Sequence, residues 1–164
     1  MRQLLDLSGV GSERLQLRWV SAAEGQVFAD YVKELSEVIE GLGPFHPEML
    51  KAPLAAVESA LNSPRLRWLT GMDRQLTKVE NVYHEKVDEE HYSRILQSAV
   101  EMEYQKTVIL ETLKTGPLYV RQIAAATSLP IHTVALRLGD LQKSGRVDLH
   151  SYEGTMPKFI GLAA

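Results

Sequence analysis

Cysteine is absent from all 164 residues. No disulfide can form, and neither a thiolate zinc site nor an iron–sulfur cluster held by cysteines alone can be built from this chain. Long apolar runs are lacking too, since no stretch approaches the ~20 residues that span a bilayer. The N-terminus has neither the apolar core nor the cleavage site of a secretory signal, so a cytoplasmic protein is expected. There is no glycine loop of the kind that cradles phosphates and no Gly-x-Ser-x-Gly elbow. The five histidines, His46, His84, His91, His132 and His150, include no pair at i, i+4 on one helix. His84, Glu85, Glu90 and His91 come nearest to a metal set, but a solvated loop and an acidic helix start explain them better. Glu34, Glu37 and Glu40 read as the wet face of a helix. No catalytic, cofactor or metal residue is therefore assigned.

What is present is the composition of a globular chain, 45% hydrophobic and 24% charged. The net charge of −3 conceals an asymmetry. Residues 1–103 carry 11 basic and 17 acidic side chains, whereas residues 104–164 carry 7 and 4.

The most informative stretch is Leu15–Phe28, LQLRWVSAAEGQVF. Leu15, Leu17 and Trp19 alternate with Gln16 and Arg18, which is strand periodicity. Ser21 and Glu24 then have the spacing of a capping box. Val27, Phe28, Tyr31, Val32, Leu35, Val38, Ile39 and Leu42 recur at helical spacing until Gly41-Leu42-Gly43-Pro44 ends the run. A strand joined tightly to a helix is expected. A lone strand needs partners, and none precedes it.

Residues 1–45, and above all Leu17–Gly25 with Ser12-Glu13-Arg14 before it and Leu42-Gly43-Pro44 after it, resemble the C-terminal end of the delta subunit of methyl-viologen-reducing hydrogenase. Phrases at 66–76 and 80–86, LRWLTGMDRQL and ENVYHEK, are similar to the continuation of longer members. The resemblance implies a small iron–sulfur subunit that passes electrons from a hydrogenase or other donor to the flavin-containing subunit of heterodisulfide reductase. It also implies cluster-binding cysteines in a half that this chain lacks. One account is that Met1 is not the native start, because some relatives carry selenocysteine, encoded by UGA, in that half. The other is a split gene whose product docks on a separate cluster-bearing chain. On either account the isolated chain is colourless, and any cluster belongs to the upstream half or to a partner.

The remaining elements follow from periodicity and punctuation. Met1–Leu7 reads as the last turns of a helix, and 44–47 as a linker. Helices are expected over 48–61 and 65–76, with Pro64 at the first position of the second and Trp68 facing the core or a partner, the core being favoured. Residues 77–87 form a loop. Asp88, Glu89 and Glu90 open a long apolar-sided helix toward Thr115, with room for a break near 102–105. Beyond the turn at Gly116-Pro117, short helices are expected around Ile123 and over 131–144, with Val134, Leu138 and Leu141 inward. Two strands follow, 146–152 and 158–162, joined around Glu153-Gly154.

That order, helix, helix-turn-helix and hairpin, is the order of a winged helix, and QIAAATSLPIHTVALRLGDLQKSGRV resembles the helix-turn-helix of many winged-helix regulators. The exposed face of its second helix is poorly suited to DNA. Arg137, Thr133 and His132 could read base edges, but Leu136 is apolar and Asp140 would repel phosphate. A protein-docking or capping role is favoured there, with DNA binding as the competing class.

The expected fold class is α+β and mainly helical. A strand–helix remnant occupies 1–45, a helical extension and loop 46–87, and a winged helix with a long leading helix 88–164. The expected function is that of an accessory or truncated electron-transfer subunit of a hydrogenase or heterodisulfide-reductase-like complex. Its partners would be flavin and iron–sulfur subunits, with a homodimer in isolation through the exposed strand, and no membrane. Leu15, Leu17, Trp19, Ser21 and Glu24 are the candidate docking residues. Arg121, His132, Thr133, Leu136, Arg137, Lys143 and Arg146 are the candidate residues facing a partner or DNA.

Overall fold

The computed structural model describes residues 1–162, which divide into two compact units, Met1–Lys51 and Ala52–Ala164. The architecture is α+β and mainly helical, with seven α-helices and one three-stranded antiparallel sheet among the described residues.

The first unit contains α1 (Arg2–Leu7), a short 3-10 turn (Ser12–Arg14), an extended stretch over 15–20, and α2 (Gly25–Leu42). The strand expected at Leu15–Trp19 is not a strand. The backbone is extended, but the sheet contains only elements from the other unit, so no ladder forms. Alternation specifies a pleated segment; it cannot supply the neighbouring strand that hydrogen-bonds it. The capping box forms by half. Glu24 Oε2 accepts from the Ser21 N–H at 2.9 Å, but the Ser21 hydroxyl takes the Ala23 N–H at 3.4 Å instead of the third residue's. The Glu24 N–H closes a turn on the Ser21 carbonyl at 3.0 Å. This local turn competes with helix, as serine hydroxyls do, and α2 begins at Gly25.

The end of α2 is held from a distance. Gly43 adopts φ 70°, a conformation glycine takes without strain. The Arg14 guanidinium donates to the Leu42 carbonyl at 3.0 Å and to the Gly43 carbonyl at 3.3 Å. A cation at helix-terminal carbonyls satisfies orphan acceptors and offsets the helix dipole.

The second unit begins with α3, whose range is Lys51–Leu61, and α4 (Pro64–Thr77). Ser63 caps α4, its hydroxyl accepting from the Leu66 N–H at 3.2 Å, with Pro64 at the first helical position as expected. Trp68 is 57% exposed, which overturns the favoured core placement and leaves the outward one. Leu66 and Leu69 hold the buried face of α4 instead, and position 68, roughly 100° from Leu69 around the helix, turns outward.

A polar loop leads to α5 (Glu89–Leu113), capped by Asp88, whose carboxylate accepts from the His91 N–H at 2.9 Å. The helix runs without a break through 102–105. Its middle is held by buried Glu103, which pairs with Lys106 at 3.1 Å and lies 3.9 Å from Arg65 on α4. Leu66, Leu69, Tyr92 and Ala99 form the α4–α5 core, and the Tyr92 hydroxyl donates to the Leu69 carbonyl.

A second core gathers the C-terminal elements: β1 (Leu118–Tyr119), α6 (Val120–Thr127), α7 (Ile131–Lys143), β2 (Val147–Glu153) and β3 (Met156–Gly161). Ile123, Val134, Leu138 and Leu141 point inward as expected and join Ile109, Leu113 and Val147. The strand order is β1-β3-β2, with a register shift between Leu149 and Ser151. β1 was not foreseen; two residues cannot display a period. After α7, the Arg146 N–H reaches the Leu141 carbonyl and the Gly145 N–H the Gln142 carbonyl, with Gly145 at φ 68°. That pair of bonds is a Schellman motif, and it sends the chain straight into β2.

Candidate functional site

In the first unit the extended stretch lies along α2 in an unexpected sense. Its polar residues face the helix. Arg18 pairs with Glu34 at 2.9 Å and places its guanidinium carbon 5.4 Å from the centroid of the Tyr31 ring. Gln16, Arg18 and Val20 form one wall of a groove of about 240 Å³, and Phe28, Tyr31, Val32 and Leu35 of α2 form the other. The apolar set of the alternation is consequently left to solvent: Leu17 is 67% and Trp19 87% exposed. Leu15 is more covered, at 37%, and Ser21 and Glu24 are exposed at the turn. Helix α2 has no buried residue along its whole length. A surface carrying an outward tryptophan, an outward leucine and an unpaired backbone edge suits burial against another protein. The Arg18–Glu34 contact that fixes this sense is the signal missed in the sequence, because two charges 16 residues apart have no local spacing to mark them.

In the second unit the seven residues chosen as facing a partner or DNA do not form one set. Arg121, His132, Lys143 and Arg146 are exposed, and Thr133 is half-buried, its hydroxyl 3.3 Å from His132 Nε2. Leu136 is 61% exposed and Ile131, which had not been singled out, 54%. Arg137 is turned inward. Its Nε donates to Gln105 Oε1 and its Nη1 to Asp140 Oδ2, both at 2.9 Å, leaving the side chain 17% exposed. The residue best fitted to a guanine edge is thus occupied in joining α7 to α5. The outward face of α7 is instead Ile131, His132, Ala135 and Leu136, with little charge.

The hairpin is fastened to the start of α6 by a polar cluster. The Tyr119 hydroxyl donates to Glu153, Lys158 Nζ lies 2.7 Å from Glu153 Oε2, and the same ammonium sits 4.8 Å from the Tyr119 ring centroid. The bonds from Lys158 and Tyr119 hold the Glu153 carboxyl below its ordinary range, and the Glu153 carboxylate holds the Lys158 ammonium above its own. These three side chains fasten the hairpin, and Tyr119 also lines an open apolar groove with Arg121, Ile131 and Met156. His84 Nδ1 lies 3.5 Å from a Glu80 carboxylate oxygen in the 77–88 loop. Among the described residues no three histidine, aspartate or glutamate side chains gather where one metal ion could be held. No helix among them is long and apolar enough to cross a membrane.

The first unit is therefore an extended-segment-plus-helix module with an uncovered apolar side. Residues 1–43 match the model of the family described as methyl-viologen-reducing hydrogenase, delta subunit. The match covers about a quarter of the chain and nearly all of the first unit. No solved structure matches the chain.

Proposed function

We propose that this protein is an accessory subunit of a hydrogenase or heterodisulfide-reductase-like electron-transfer complex, acting by docking and holding no cluster itself. The observation that carries the reading is the coincidence of the family match over residues 1–43 with an unpaired extended stretch that exposes Leu17 and Trp19. The occupant of that stretch is a cluster-bearing subunit whose strand edge adds to residues 15–20, main-chain bonds giving affinity and Leu17 and Trp19 anchoring it. Iron–sulfur clusters and flavin then belong to the partner. Residues 1–45 are the docking module, 46–87 a helical extension, and 88–164 a winged helix that serves as a second protein-binding or capping element.

The test is reconstitution of the full chain with separately purified flavin and iron–sulfur subunits of such a complex, followed by calorimetry and by electron transfer to the flavin. Stoichiometric binding that disappears in the Leu17→Ser, Trp19→Ser double variant supports the reading. Equal binding by that variant, or none by the native chain, sinks it.

A second reading is supported by the exposed Arg121, His132, Lys143 and Arg146 on a basic C-terminal region. It makes the winged helix a DNA-binding regulator. Binding to duplex DNA whose affinity falls steeply with salt would favour it, because each phosphate neutralised releases counterions. The engagement of Arg137 with Gln105 and Asp140 weighs against base readout.

A further inference from the structure

Helix α4 turns a second kind of surface outward, independent of the docking stretch in the first unit. Its core side is Leu66, Leu69 and Thr77. On the opposite side, at about 100° per residue, Arg67, Gly71, Arg74 and the cap residue Lys78 follow one another at i, i+4, i+7 and i+11, with Trp68 beside them. All five are exposed.

The charge on this row is segregated from its surroundings. Residues 52–103 hold six basic and nine acidic side chains, yet the row takes three of the six cations and no acid. Asp73, the one acid of α4, lies toward Tyr92, in a cleft whose rim Arg74 and Lys78 share. Lys78 pairs with Glu89. Among the described residues neither the Arg67 nor the Arg74 guanidinium has a carboxylate partner. Beside these two free cations Trp68 leaves 57% of its surface in water. Tryptophan and arginine are the residue types most enriched where binding energy is concentrated.

We propose that this face docks an acidic amphipathic α-helix of a partner protein, laid along α4. The cations rise by about 16 Å over three turns, and carboxylates at i, i+7 and i+11 of a second helix rise by the same intervals. Gly71, in the middle of the row, has open space where a Cβ would stand. Two helix axes can therefore approach closely there, since their separation is set by the side chains at the contact. An apolar residue of the partner covers Trp68. A polyanion that tracks along the surface is answered less well. The row stops at the Lys78–Glu89 pair, and exposed Glu80, Glu85, Asp88 and Glu90 follow it. A continuing phosphate backbone would run into these acids, whereas a helix whose carboxylates end within three turns avoids them.

The test is the fluorescence of Trp68 in the full chain carrying Trp19→Phe, titrated with a synthetic helical peptide that has glutamates at i, i+7 and i+11 and leucines beside them. Saturable binding with a blue shift, weakening as salt rises, is the expected result. Arg67→Gln with Arg74→Gln should weaken it by about tenfold or more with an unchanged far-UV spectrum. Arg121→Gln with Lys143→Gln, at two exposed cations elsewhere in the chain, should leave it unaltered. Failure to saturate overturns the proposal, as does equal binding of the same peptide with lysines in place of glutamates. So does a loss as large in the Arg121, Lys143 pair as in the Arg67, Arg74 pair. Tighter binding of an oligodeoxythymidine of about 15 nucleotides, or of phosphatidylserine vesicles, would assign the face to nucleic acid or to a membrane surface and overturn it equally.

Discussion

Arg137 and Gln105 tie α7 to the long helix α5, through one bond of 2.9 Å spanning 32 residues of sequence. Asp140 takes the other side of the same guanidinium. A charged donor of this kind, only 17% exposed, contributes about 1–2 kcal/mol once both acceptors would otherwise be left unanswered. Arg137→Ala should lower urea-unfolding stability by that amount. Arg137→Lys should recover little of it, since an ammonium cannot reach two acceptors as a planar fork does. A variant as stable as the native chain would free Arg137 for nucleic acid and revive the DNA-binding reading.

The helices were legible because their information is local. Asp88 opens the long helix and Pro64 takes the first position of α4 as expected, and Ile123, Val134, Leu138 and Leu141 repeat at the spacing that buries them. What escaped was carried by pairs far apart in sequence. Arg14 meets the end of α2, Arg18 meets Glu34, and Arg137 meets Gln105. Each is a long cation whose target depends on how the chain has already folded. The docking stretch illustrates the limit well. Its alternation was read as a strand, whereas the backbone is extended without a partner, and Arg18 pairs with Glu34 on α2 so that the apolar side lies outermost.

Arg14 should act on α2 alone. Its bonds to the Leu42 and Gly43 carbonyls place a cation on the helix end, worth about 1 kcal/mol when partly buried. Arg14→Ala should raise amide exchange through the last turn of α2 by about fivefold to tenfold and leave α5 to α7 unchanged. Uniform acceleration across both units would mean that the contact supports more than this helix end.

Tyrosine titration should find Tyr92 and Tyr104 ionising above the ordinary phenol value. Burial raises Tyr104, and burial followed by the Asp73 carboxylate raises Tyr92, from the ordinary value of 10.0. With folded values above unfolded ones, the stability these groups contribute is complete below about pH 10 and falls as the pH climbs through the raised values. Absorbance should therefore report Tyr92 and Tyr104 ionising late, together with loss of helicity. The Tyr92→Phe variant removes the bond to the Leu69 carbonyl and should cost about 1 kcal/mol at neutral pH. Ionisation of Tyr92 and Tyr104 at the ordinary phenol value would contradict the burial of both.

The hairpin cluster gives the opposite acid-side sign. Glu153 is held below its ordinary carboxyl value by Lys158 and then Tyr119. Its contribution is present above the unfolded value and is lost as pH falls through the lower folded one. Carbon-detected titration should find the Glu153 carboxyl protonating below the ordinary glutamate range, and Lys158→Gln should move it back toward that range. An unshifted carboxyl in the native chain would show that the three side chains do not stay together in solution.

Trp19 offers the most direct view of docking, because the chain has only two tryptophans and both face water, at 87% and 57% exposure. Trp68→Phe leaves Trp19 as the single reporter, and an exposed position away from any core should accept that change within about 0.5 kcal/mol. Free in solution, Trp19 should be quenched readily by acrylamide, and its emission should hardly move on unfolding. Seated against a cluster-bearing subunit it should shift to the blue and resist quenching, since a central aromatic anchor is fully desolvated. Protection by the redox subunit is the expected result, and protection that appears only as the chain associates with itself would assign the extended stretch to a second copy.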